Sequence, residues 1–157
     1  MSAKQEIVDG MQQLIVQAKR VGKLLDDQGD WEVTRPAGWT PREMFCHIAA
    51  TGGMIAQMGP ALLSAPEDSD FTQSTNISDL NAQTLASMQA LTPAQLVEMV
   101  EQNYSKAAEW VKTIPDDQLA ANKSFASMTM PASELLANIG VLHANHHLYE
   151  AALRVAF

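Results

Sequence analysis

The chain has 157 residues, a formal net charge of −8 and a pI near 4.8, and its ten Lys and Arg form no basic face, which argues against nucleic acid as a partner. An apolar fraction of 46% with 18% charged residues is that of an ordinary globular protein, and the length suits a single domain over 1–157 that buries a core without cross-links. Cys46 is the single cysteine, so no internal disulfide is expected and a reducing, cytoplasmic setting fits.

Met1-Ser2-Ala3-Lys4-Gln5-Glu6 carries charge where a secretion signal needs an apolar run, so no signal is expected there. From Ala3 to about Gln28, Ile7, Met11, Leu14, Ile15, Ala18, Val21, Leu24 and Leu25 recur at helical steps, with charged and amide side chains opposite. The spacing predicts an amphipathic helix. Asp30 to Trp39 reads as a connector whose two tryptophans cover one end of the core.

Thr40-Pro41-Arg42-Glu43 combines an N-cap, a proline at the first helical position and a capping box. The helix it opens runs to about Leu63 and carries His47, with Glu43, Ala50, Thr51, Met54 and Met58 on the same face. That face is small and soft, which leaves room for a pocket. Met44 to Pro66 has no formal charge and would be long enough to cross a bilayer. Its histidine, glycines, Thr51, Gln57 and Pro60 point instead to a buried bundle helix, and no membrane partner is expected.

Ser64 to Ile77 reads as a long surface loop with Phe71 turned inward. Ser78-Asp79 caps a shorter helix through Ala90, and Thr92-Pro93-Ala94-Gln95 repeats the cap, proline and capping-box pattern for a helix to about Thr113. Its inward stripe is Leu96, Val97, Val100, Tyr104, Ala107, Ala108 and Val111. Ile114 to Thr129 is mostly connector, with a short helical turn at Pro115-Asp116-Asp117, and Pro131 opens a last helix to about Val155. No β alternation of useful length is visible, so the expected fold class is an all-α bundle.

Three of the four histidines fall in Leu142-His143-Ala144-Asn145-His146-His147-Leu148-Tyr149-Glu150. On a helix, His143 and His147 project about 40° apart and about 6 Å along the axis, a bite suited to one metal ion, while His146 is turned about 100° away. His47 is the remaining histidine that can complete a three-nitrogen set. Neutral imidazoles suit Zn, Ni, Cu or Fe, and a three-histidine site with an open position is catalytic in type. The glutamate of H-E-x-x-H is missing, so the pattern is not that of a zinc protease. The plainer alternative is that these are core histidines satisfied by hydrogen bonds.

Glu150 is the candidate catalytic group, able to orient a ligand or activate a substrate, with a solvated surface charge as its bland role. Glu43 has the same two options, and the capping box favours the bland one. Cys46 points away from His47 and reads as a buried structural cysteine. Arg154 lies about 16 Å along the axis from His143, too far to be a ligand. It could receive an anionic substrate tail or satisfy the helix C-terminus. His146 fits a core edge, a helix partner or a subunit interface. The nine methionines read as core filling.

Gly38-Trp39-Thr40-Pro41-Arg42-Glu43-Met44-Phe45-Cys46-His47-Ile48-Ala49 resembles the W-[ST]-x-x-E-x-x-x-H-[LI] start of the second helix in the DinB/YfiT-like superfamily. His143 to Glu150 resembles its last-helix pattern H-x-x-H-H-R-G-Q, and Asp79-Leu80-Asn81 and Leu91 to Leu96 are similar to passages of its DinB-like and mycothiol-dependent maleylpyruvate isomerase branches. The resemblance covers essentially the whole chain. It implies a four-helix bundle in up-down-down-up order with a long crossover, and one divalent metal, Zn or Ni, on His47, His143 and His147. It also implies a small-molecule substrate, a low-molecular-weight thiol as cosubstrate, and by analogy a homodimer. The chain departs from the pattern at Leu148-Tyr149-Glu150, where R-G-Q is expected. A thiol-dependent S-transferase or isomerase is the first reading. A non-catalytic metal-binding or stress-associated bundle and a metal-free structural dimer are the alternatives.

Overall fold

A computed structural model describes residues 1–70, 72–73 and 75–153. Phe71, Arg154 and Val155, singled out above, lie outside the described residues. The elements are α1 (Ala3–Gln28), α2 (Pro41–Ser64), α3 (Ile77–Ser87), α4 (Pro93–Thr113), α5 (Asp116–Ala120), the strands β1 (Asn122–Phe125) and β2 (Met128–Pro131), and a closing helix in three parts. Those parts are α6 (Ala132–Leu135), a π-helical segment (Leu136–Leu142) and α7 (His143–Leu153). The long helices form a bundle. No helix among the described residues is long and apolar enough to cross a membrane.

The helix starts follow their cap chemistry. Glu43 donates its N–H to Thr40 Oγ1 at 3.2 Å while its side chain accepts from the Thr40 N–H at 2.8 Å, and Thr92 and Gln95 repeat the arrangement at 3.2 and 2.8 Å. Glu43 therefore serves the capping box. The α3 boundary differs from expectation: Asn76, not Ser78 or Asp79, is the N-cap, accepting from the Asp79 N–H at 3.2 Å, and the helix stops at Ser87. An asparagine two residues upstream takes the donor first.

The core stripe of α1 is Ile7, Met11, Leu14, Ala18 and Leu25, with Leu24 turned out at 37% exposure. That of α4 is Leu96, Val100, Tyr104, Ala107, Ala108 and Val111, with Val97 half-buried against Gly22. Along the α1–α4 seam, Gly22 meets Val97 and Lys19 pairs with Glu101 at 2.6 Å. Along α2–α4, Asn103 donates to the Ala49 carbonyl at 2.8 Å, Gly52 lies against the Tyr104 ring and Gly59 against Trp110. A Cβ on Gly52 would come within 2.6 Å of that ring, so only glycine lets the two helices approach this closely. The closing helix fills the space between α1 and α2, with Val141 against Gly10, and Gly140 against Met11 and Ile55.

A short antiparallel hairpin interrupts the expected connector, pairing Asn122 with Pro131 and Phe125 with Met128. Period-two alternation could not reveal it, because the neighbouring Lys123 and Ser124 are both buried. Lys123 Nζ donates to the Ala65 carbonyl at 2.6 Å and Ser124 Oγ to that of Glu67 at 2.5 Å. The two-residue turn holds Ala126 and Ser127 at φ of 51° and 64° without a glycine. Their N–H groups donate to Thr72 Oγ1 and Asp70 Oδ2, so the loop after α2 fixes a turn that its own residues disfavour.

Arg35 binds the connector after α1 to the end of α7. Its guanidinium is buried, pairs with Asp30 Oδ2 at 3.4 Å, and donates to the Ala151 carbonyl from Nε and Nη2 at 3.0 and 2.8 Å. Arg35, held by Asp30, thus satisfies a late helix carbonyl and fixes the segment that carries Trp39.

Candidate metal centre

His47 enters from α2, just under two turns after its cap, and His143 and His147 from α7. Gly140 brings the closing helix against Ile55 of α2, and the histidine rings meet in the same seam. Nε2 of His143 lies 2.9 Å from Nε2 of His47 and 3.3 Å from Nε2 of His147. One ligand atom from each of the three falls within 4.8 Å of the others. The expected convergence of position 47 with 143 and 147 is therefore present.

The neighbours fix how these rings point. Glu150 Oε2 accepts from His147 Nδ1 at 3.0 Å, which places the ring proton on Nδ1 and leaves the Nε2 lone pair toward the other histidines. Glu150 is buried at 6% exposure and is no solvated surface charge. Its second oxygen lies 3.2 Å from Nε2 of the half-exposed His146, which settles where that residue turns. The Asn81 side chain from α3 hydrogen-bonds His47. Trp39 stacks on His147 with ring centroids 5.7 Å apart and meets His47 edge-on at 5.2 Å.

The surroundings favour the neutral form of all three rings. Burial, then the charges of His147 and His143, push His47 down to about 4, with the Asn81 hydrogen bond opposing the shift. Burial is also the main cause of the lowering at His147, where Glu150 opposes it, and at His143. Neutral imidazole is the metal-binding form.

The donor set fits a divalent ion. Ligands about 2.0–2.1 Å from Zn stand about 3.3 Å apart at a tetrahedral edge, close to two of the three separations here, 2.9 and 3.3 Å, with all three ligand atoms within 4.8 Å of one another. Lone pairs gathered that closely repel unless a cation or a shared proton lies between them. The adjacent Glu150 carboxylate adds negative charge suited to a cation. His143, the exposed member, leaves one side of the trio open to solvent.

Cys46 is buried at 2% exposure and burial pushes its thiol up to about 11, in keeping with a structural role. Met54 and Met58 do line a cavity, with Ile55, Leu62, Phe125, Leu136 and Ile139 among its walls. Two groups at the site were not read as such from composition and spacing. Trp39 reads from the sequence as a cover for the core end, but it immediately precedes the Thr40 cap and its ring meets His47 and His147. Asn81 sits on a helix whose side chains show no buried stripe. Comparison of the chain with protein-family models, curated proteins and solved structures finds no match.

Proposed function

We propose that this chain is a DinB/YfiT-like bundle that acts as a divalent-metal-dependent S-transferase or isomerase using a low-molecular-weight thiol. The observation that carries the reading is the approach of three Nε2 atoms, one from α2 and two from α7, on a backbone whose motifs occur in that superfamily's order. The helix contacts support the finer topology. Rising numbers on α1 meet falling numbers on α4, α2 and α4 run in the same direction, and the closing helix runs with α1, Ala3 to Ile7 lying by Ser133 to Ala137 and Gly10 by Val141. That is an up-down-down-up order with α3 in the long crossover, and residues 1–157 then make one domain.

His47, His143 and His147 would hold a Zn or Ni ion, which would supply Lewis acidity able to lower the pKa of a thiol or water. The chain's own groups do the remaining work. Glu150 acts as a positioning residue by holding the His147 tautomer, Asn81 does the same for His47, and Trp39 excludes water from one side. A thiol approaches past the exposed edge of His143, and the cavity at Met54 and Met58 receives the electrophile.

The test is metal analysis of protein purified without a histidine tag, joined to an assay of thiol consumption with an activated electrophile. One ion per chain, turnover that needs both ion and thiol, and loss of both in His47→Ala are expected. Turnover that survives removal of the metal overturns the reading. Stoichiometric metal without thiol chemistry leaves a non-catalytic metal-binding protein, and no metal at all leaves a structural bundle.

A further inference from the structure

We propose that the cavity between α2, the closing helix and the hairpin seats a hydrocarbon group. The substrate of the metal centre is then an amphipathic small molecule with a polar, metal-seeking head and an unsubstituted tail. This rests on the metal-centre reading above for the head, and on the cavity alone for the tail.

The void is small, about 40 Å³, about three times the space one water needs, which suits a short alkyl end of a few carbons. Its walls are the side chains of Met54, Met58, Leu62, Phe125, Leu136 and Ile139 with their apolar neighbours, and no polar or charged side chain among the described residues lines it. A hydroxyl, amide or charge placed there would give up its water without a replacement partner, so the walls select against substituted tails. Unbranched thioethers on two of the wall positions adapt to tails of differing shape.

Position ties this cavity to the histidines. Met54 and Met58 follow His47 by close to two and three whole helical turns, on the same face of α2 and about 10 and 16 Å along its axis. On the facing element, Ile139 and Leu136 precede His143. Cavity and imidazoles therefore lie along one seam between α2 and the closing helix, about 10 Å apart at their nearest turns. Met58, 40% exposed, stands at the mouth, and Phe125 of the hairpin forms the outer wall.

The experiment measures Kd for the series from acetohydroxamic to decanohydroxamic acid on the zinc-loaded protein, beside n-alkanols of matching length that lack the head. Kd is expected to fall by about fourfold per added methylene among the alkanols until the small cavity is full, and among the hydroxamates only once the tail spans the about 10 Å from the histidines, near eight carbons. Ile139→Trp fills the void and should flatten both slopes while metal stoichiometry and acetohydroxamic acid binding hold. Met58→Trp, at the mouth, serves if the first variant does not fold. A series independent of chain length, or equal slopes in wild type and filled variant, overturns the proposal. His47→Ala separates the two claims. Equal hydroxamate affinity in that variant and wild type defeats the metal reading, whereas a persisting alkanol slope there still supports the cavity.

Discussion

Glu150 stands between two adjacent histidines, with Oε2 3.0 Å from Nδ1 of His147 and Oε1 3.2 Å from Nε2 of His146. Neighbouring helix positions point about 100° apart, yet residue 150 is i+3 to one and i+4 to the other and can serve both. The carboxylate is buried and keeps the His147 lone pair turned toward His47 and His143. Glu150→Gln keeps the shape and removes the charge, so zinc affinity should fall by about 10-fold or more. Chelator competition measures this, and an unchanged Kd would show that Glu150 does not support the ligand.

Metal should stabilise the fold by linkage. At about 100 times Kd a specific ion adds about 2.7 kcal/mol, and at about 2–4 °C per kcal/mol for a domain of this size Tm should rise by about 5–10 °C. His47→Ala should abolish the rise. Equal shifts in wild type and variant, read by thermal unfolding with and without zinc, would assign the ion to some other site.

Without metal, stability should depend on pH through the histidines. His47 has a folded pKa of about 4 against the ordinary value of 6.5. Between these values the unfolded chain holds more protons than the folded one, so unfolding free energy falls as pH drops from about 6.5 toward 4 and is insensitive to His47 above that window. The lowered pKa values of His143 and His147 act in the same direction. Denaturant titrations of the apoprotein should show this slope, and His47→Ala should make it shallower. Identical slopes would mean that His47 is not held neutral by its surroundings.

The parts of the fold legible in the sequence were those set by local chemistry. Thr40 and Thr92 cap the helices expected of them because cap, proline and box act within four residues. His143 and His147 share a face because α7 is regular between them. What was not legible depended on distant partners. The hairpin exists because Ala65, Glu67, Asp70 and Thr72 satisfy its polar groups, which no pattern within 122–131 reports. The π-helical winding over Leu136–Leu142 breaks the 3.6-residue count just before the histidines. Trp39 and Asn81 reach the site from a connector and an exposed helix, where periodicity carries no information about what they touch.

The hairpin turn makes a separate expectation. Ser127 sits at φ 64°, where a Cβ is disfavoured, and its N–H to Asp70 is a backbone donor that substitution keeps. Ser127→Gly should therefore raise stability by about 0.5 kcal/mol. Chemical denaturation reads the difference, and a loss of stability would mean that the serine side chain matters more than its strain.

Tyr104 presents the opposite case, a core residue with one group too many. Its ring packs on Gly52 and is fully buried, and its hydroxyl is the buried side-chain polar atom without a hydrogen-bond partner among the described residues. Burial also raises its pKa, since the phenolate would be without solvent. Leaving a hydroxyl unpaired costs the desolvation it underwent on folding, whereas phenylalanine keeps the ring against Gly52 and drops that cost. Tyr104→Phe should stabilise the protein by about 1 kcal/mol, with Tm higher by about 2–4 °C and zinc affinity unchanged. A lower Tm would show that the hydroxyl is bonded in solution, and altered zinc binding would connect this core position to the metal centre.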